Sequence, residues 1–200
     1  MTKFLKKFTT HRDYDKYVAH SFEKPNISIC QDEPDHIHYN PRGEAPEPNE
    51  VWYWTASGHT LDKLNEPAAF LGEYNPDAEI ISNTYENGKG VVKLNVPVEG
   101  LTEAFYETDV VRVVIPDGAW FIYNGFYSCT DLQSVYIPKS VTEFQGLDFY
   151  DCYNLWKIEY GGAINDWRNI YWDYDNPFRY CGDIEVHCID GVTYVGDGHE

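Results

Sequence analysis

Three groups of residues in the chain are of types and spacing that could do chemistry. His36 and His38 stand two apart, so on a strand they share a face, with Cys30 across a short turn. Together they could form an imidazole–thiolate metal set. Cys181, His187 and Cys188 could form another, but no fourth residue has ligand spacing. A solvated histidine pair and packed end residues of the fold are the plainer readings, so no metal is expected. Asp173 with Asp175, and Asp183 with Glu185, are close carboxylate pairs of the kind glycoside hydrolysis uses. In a chain with 33 Asp+Glu, such pairs arise simply as a solvated acidic surface. No G-x-S-x-G, Walker loop or H-E-x-x-H occurs. No catalytic residue, no enzyme activity and no cofactor are therefore expected.

Aromatic residues are the third group. The chain has 17 Tyr, 10 Phe and 6 Trp. Trp120, Tyr123, Tyr127, Tyr136, Tyr150, Tyr153, Trp156, Tyr171, Trp172 and Tyr174 exceed what a thin fold can bury. A flat ring beside Asp or Asn suits a sugar, and aromatics are also enriched at protein interfaces. Trp120, Tyr136, Trp156, Trp172 and Tyr174 are the candidate contacts for a glycan or protein ligand. Packing and subunit contacts are the plainer alternatives and outweigh glycan binding on sequence alone.

The elements that would carry these residues are set by an internal repeat. Phe126-Tyr-Ser-Cys129-Thr-Asp-Leu132-Gln-Ser-Val135-Tyr-Ile137-Pro138 aligns with Phe149-Tyr-Asp-Cys152-Tyr-Asn-Leu155-Trp-Lys-Ile158-Glu-Tyr160-Gly161 at a spacing of 23. Phe105 to Pro116 follows the pattern with one residue missing where the Cys would sit, and Val91 to Pro97 is a weaker copy. Each copy ends apolar-x-x-apolar-x-apolar, a short strand with one buried face, and three of the four then have Pro. A unit this small cannot bury its own apolar face, so the units must stack into a solenoid. Cys129 and Cys152 then lie in adjacent coils as small buried hydrophobes, reduced rather than bridged. Tyr136 and Trp156 alternate out of the core strands.

These residues resemble the BspA-type leucine-rich repeats. Ile137-Pro-Lys-Ser-Val-Thr-Glu-Phe144-Gln-Gly-Leu-Asp-Phe149-Tyr-Asp-Cys152-Tyr-Asn-Leu155 follows that family's unit, in which a small residue precedes the Phe. Trp120 stands where the family has Thr. Tyr160 to Ile170, Asn176-Pro-Phe178 and Val186 to Gly191 look like the closing segment of such arrays. The resemblance implies a mainly β fold with little helix: a short solenoid over 91–160 and a C-terminal cap over 161–200. A β-hairpin region over 51–90 leads into it, with Asn87-Gly88 as a strong hairpin signal and Ser57-Gly58 as another turn.

Residues 41–50 hold three prolines and read as a semi-rigid linker. Residues 1–40 read as a small module, with a helix over 9–20 capped by Thr10 and a hairpin over 26–39. This segment resembles the N-terminal module of virion structural proteins of crAss-like and other tailed phages of gut bacteria. That resemblance implies a virion-docking segment, with Phe8, Tyr14, Tyr17, Ile27, Ile29, Ile37 and Tyr39 as its contacts. Partners would then be capsid, portal or tail proteins, on a particle made in the host cytoplasm and carrying the chain as a homo-oligomer. The alternatives are a bacterial surface or host-interaction protein built from the same repeats, or a capsule-degrading glycosidase.

Charge divides the same way. Of the net −18, residues 1–40 contribute nothing, with six Lys/Arg and six Asp/Glu, and the rest of the chain carries it all. An acidic body disfavours nucleic acid and anionic membrane as partners. No apolar run approaches membrane-spanning length. The start has no secretory pattern, and five scattered cysteines fit a reducing compartment.

Overall fold

The computed structural model describes residues 45–72, 75–173 and 176–196. The chain divides into two units, 1–44 and 45–200, and the described residues belong to the second. The expected helix and hairpin of 1–40, all seven docking residues, and Cys30, His36 and His38 lie outside the described residues.

Among the described residues, twelve strands and one α-helix follow in order: β1 (Glu50–Thr55), β2 (Ile80–Glu86), β3 (Lys89–Leu94), β4 (Gly100–Thr102), β5 (Val110–Val114), β6 (Phe121–Tyr123), β7 (Ser134–Ile137), β8 (Glu143–Gln145), β9 (Lys157–Tyr160), α1 (Ile164–Arg168), β10 (Tyr171–Trp172), β11 (Ile184–Cys188) and β12 (Gly191–Val195). They form an eight-stranded sheet, β12-β11-β9-β7-β5-β1-β3-β2, and a four-stranded sheet, β10-β8-β6-β4. Each coil gives one strand to each sheet, and the strands pair in parallel with the next coil. The fold is therefore mainly β with a repeat core. Val113, Val135, Ile158 and Val186 share one register and are buried. Leu101, Ile122 and Phe144 form the facing row from the smaller sheet.

Between the two strands of a coil runs the Phe-x-x-Cys turn. Its third residue is left-handed in every coil: Glu107, Ser128, Asp151 and Tyr180 have φ of 55°, 54°, 64° and 64°. This bend keeps the turn's amides pointing along the array, where Ser128 N–H donates to Tyr150 O at 2.8 Å and Phe126 N–H to Asp148 O at 2.9 Å. The cysteines reach back the other way. Cys129 Sγ donates to Phe105 O at 2.7 Å, Cys152 Sγ to Phe126 O at 2.9 Å and Cys181 Sγ to Phe149 O at 2.9 Å. The Phe105, Phe126 and Phe149 carbonyls are thus each bonded by their own turn's amide and by the next coil's thiol.

Three sequence readings change here. Thr108 fills the Cys place in the first turn, its hydroxyl 2.7 Å from Phe105 O, so the missing residue falls later, before β5. Val91 to Pro97 does not join the parallel ladder: β3 runs antiparallel to β1 and β2. A fourth coil continues past residue 160, since Phe178 to Cys181 repeats the turn and β11 extends the parallel ladder.

At the other end the Asn87-Gly88 turn closes the β2–β3 hairpin, both residues at positive φ. Ser57-Gly58 turns the chain but closes no hairpin, because β1 pairs with β3 and β5. Residues 48–50 of the expected linker are bonded to the body: Val98 N–H donates to Pro48 O and Leu94 N–H to Asn49 O, each at 2.9 Å. Gly90 lets the Tyr53 ring lie on the backbone, and an added Cβ would sit 2.3 Å from it.

Among the described residues, Cys129, Cys152, Cys181 and Cys188 are buried and form no disulfide. Burial pushes Cys129 and Cys188 up to about 11, and Cys152 higher still. Cys129, Cys152, Cys181 and Cys188 are expected to resist maleimide at pH 8 and to label fully in denaturant, read by peptide mass mapping. Cys152→Ala is expected to lower stability by about 1–2 kcal/mol in urea titration, through a lost hydrogen bond and a small cavity.

Candidate functional site

The exposed aromatics are sorted by the coil geometry. Inside the turns, Phe105, Phe126, Phe149 and Phe178 stack at 5.5, 5.1 and 5.0 Å with planes within 13°. Outside them, Tyr106, Tyr127 and Tyr150 stack at 4.9 and 5.0 Å. In the fourth turn Arg179 takes the tyrosine's place, and Tyr180 meets Tyr150 edge-on at 5.1 Å. These rings spend their faces on one another, so the ridge is a packing device that offers mainly ring edges to solvent.

The five sequence candidates do not form one site. Tyr136 lies on the outer face of the eight-stranded sheet, between Val114 and Glu159. It is half-buried because Gly161 leaves room for its hydroxyl; an added Cβ there would be 2.9 Å from Tyr136 Oη. Trp156, just before β9, is half-buried too, its backbone bonded to Gln133 and Glu185. Tyr174 lies outside the described residues. Trp172 is 40% exposed but pairs with Phe144 on the inward register and meets Phe178 edge-on at 6.0 Å. It covers the edge of the core. Trp120, at the corner leading into β6, is 41% exposed and tilted onto Phe121 at 4.6 Å.

Beside Trp120 the outer face of the four-stranded sheet is covered at Gly100 and Phe121, which are buried, and opens over Tyr123, Glu143, Tyr171 and Asp173. Its two outward rows are Gly100, Phe121, Glu143, Tyr171 and Thr102, Tyr123, Gln145, Asp173. Tyr123 is 40% and Tyr171 61% exposed. Sequence reading counted both among the surplus aromatics without selecting them. Strands of two or three residues are too short to show period-2 alternation, and only the repeat register could have placed them outward. The carboxylates of this face are oriented: Glu143 accepts from Gln145 Nε2 at 2.7 Å, Asp173 from Gly146 N at 2.6 Å and Glu99 from Gly72 N at 2.7 Å. Neither outward row carries a Lys, Arg or His.

The other polar clusters are tied up structurally. Lys157 meets Glu159 at 2.7 Å, Lys93 meets Glu50 at 2.9 Å and Lys139 meets Asp166 at 2.9 Å. Tyr160, beside the last pair, is pushed up to about 12 by burial. His187 sits 2.8 Å from Glu185, while Cys181 is bonded to the Phe149 carbonyl. Among the described residues no three His, Cys, Asp or Glu side chains are grouped to hold a metal, and no helix is long and apolar enough to cross a membrane.

Residues 92–197 match the BspA type leucine rich repeat region in six copies. Among solved structures, a leucine rich cell surface protein from Faecalibacterium prausnitzii A2-165 is 31% identical over 32% of this chain, with a TM-score of 0.30. The match spans 17% of that protein. No curated protein matches the chain. The repeat register, the stacked Phe-x-x-Cys turns and the family match converge: the chain belongs to the BspA-type leucine-rich repeat proteins.

Proposed function

We propose that the chain is a non-enzymatic recognition protein of the surface and host-interaction class, binding through the outer face of the four-stranded sheet. One observation carries this reading. Trp120, Tyr123 and Tyr171 are exposed on that face beside oriented carboxylates, whereas the tyrosine ridge is stacked on itself. Membership of the BspA-type family supports a surface role better than a virion role. The test is adhesion of the full chain to intact host cells. The pair Trp120→Ala and Tyr171→Ala is expected to weaken it about thirtyfold, since each of the two exposed aromatic contacts contributes about 1 kcal/mol, with unchanged melting. Adhesion equal to wild type sinks the assignment. Shortening of a capsule polysaccharide by the purified chain sinks the non-enzyme reading.

The neutral first forty residues favour a second reading, docking of the acidic body to a larger assembly such as a virion. Deleting residues 1–40 is then expected to leave a folded body that no longer joins particles. Incorporation of the truncated chain counts against it.

A further inference from the structure

Four aromatic rings of this chain carry a cation over one face. Lys89 lies over Trp52 at 3.7 Å, Lys63 over Tyr106 at 4.7 Å, Arg112 over Trp54 at 5.0 Å and Arg179 over Tyr180 at 5.2 Å. Each ring's negative face has a cation of the same chain. Trp120, Tyr123 and Tyr171 are more exposed than Trp52, Trp54 or Tyr106, and among the described residues no cation lies over them. Their face also holds Glu143, Asp173 and Glu99. Tyr171 and Glu143 are register neighbours on adjacent strands, about 4.8 Å apart along the sheet. Tyr123, Gln145 and Asp173 form the parallel row.

We propose that this face takes an arginine-bearing segment of a partner protein, with one guanidinium stacked on Tyr171 and forked onto Glu143. The proposal rests on the reading that the face is the recognition surface, and it names the partner's chemistry. A guanidinium is planar, so it can lie on a ring and present paired N–H donors to a carboxylate, which a neutral sugar or a lysine ammonium cannot do together. Trp120 and Tyr123 are the other exposed rings beside this face. The carboxylates are held in place by hydrogen bonds from Gln145 and Gly146, so the partner meets a prepared surface.

The test uses the full chain and a fluorescein-labelled nonapeptide with arginine at alternate positions and serine between. Its controls are the same peptide with citrulline for arginine, the neutral isostere, and a neutral β-linked hexose oligomer. At about 150 mM salt, where long-range attraction to an acidic protein is screened, the arginine peptide is expected to bind about tenfold tighter than the citrulline peptide. Glu143→Gln and Tyr171→Ala are each expected to weaken the arginine peptide about fivefold. Asp131→Asn, an equal loss of charge in the turn before β7, should leave it within about twofold. Equal binding of the two peptides overturns the proposal. So does an effect of Asp131→Asn as large as that of Glu143→Gln, since attraction would then be diffuse. Binding of the hexose oligomer alone, unaffected by Glu143→Gln, overturns it in favour of a glycan. If the Trp120→Ala, Tyr171→Ala pair abolishes cell adhesion while the two peptides bind alike, the face stands and only its arginine partner falls.

Discussion

Replacing Phe149 by alanine is expected to cost about 3–5 kcal/mol, the range for removing a buried Phe and leaving its cavity. Phe149 is fully buried and stacks on Phe126 at 5.1 Å and on Phe178 at 5.0 Å, with Phe144 edge-on at 5.8 Å. The hole would open in the middle of the array. Coils stack only on their neighbours, so the damage is to the coupling between halves of the solenoid as well as to one site. Against a total stability of about 5–15 kcal/mol for an ordinary domain, the variant should be marginal. Urea titration by tryptophan fluorescence measures the loss. Phe149→Leu, which keeps most of the volume, should cost about 1–2 kcal/mol. Equal stability of wild type and Phe149→Ala would mean that the stacked column is not what holds the coils together.

Asp148→Ala is expected to act in the opposite direction. Asp148 occupies the position just before the turn Phe, where the other coils have Ala104, Gly125 and Pro177. Its side chain is fully buried. Oδ1 receives a long 3.4 Å contact from Gly125 N, the backbone of Asn124 and Gln145 contributes weakly, and Oδ2 has no hydrogen-bond partner. Burial is the main cause that raises its carboxyl well above the usual range, with the charge of Asp173 adding to it. The sign follows from linkage. The folded chain holds this proton more tightly than the unfolded one, so the contribution to stability is full below the ordinary carboxylate value. It is lost as pH rises through the raised value. At neutral pH the residue is therefore a burden. Removing it should stabilise by about 1–3 kcal/mol, the usual penalty of an unsatisfied buried polar group. The gain should shrink as pH falls into the ordinary carboxylate range and be smallest below it, where the wild-type carboxyl is protonated in both states. Glu50 oppositely keeps its carboxyl low through hydrogen bonds from Lys93 and Trp52 that outweigh its burial, so it loses stability on acidification. Comparing Asp148→Ala with wild type at pH 5 and pH 8 isolates the Asp148 contribution. Destabilisation at pH 8 would show that the carboxylate has a partner it needs.

The repeat was readable from sequence because its two constraints are local. The alternation in Val135-Tyr136-Ile137 and the Phe-x-x-Cys spacing both fall within one coil. The fourth coil was harder to see because Arg179 replaces the tyrosine and α1 lengthens the interval before Phe178. The place of β1 between β3 and β5 could not be read at all, since it depends on pairing with residues 37 to 62 positions away. Alternation correctly turned Tyr136 away from the core, but it says nothing of what crowds an outward side chain. Gly161 and Glu159 half-bury it. For the four-stranded sheet, only stacking of successive coils brings Tyr123, Glu143 and Tyr171 onto one surface. Trp120 was legible because it breaks the repeat, standing where Thr142 stands one coil later.

The central claim is that recognition occurs on the outer face of the four-stranded sheet. Hydroxyl-radical footprinting of the full chain, free and bound to the surface it adheres to, tests that claim residue by residue. Trp120, Tyr123 and Tyr171 should be protected on binding, while Tyr106, Tyr127 and Tyr150 keep their free-state oxidation. Protection of the tyrosine ridge, with Tyr123 and Tyr171 unchanged, would contradict it.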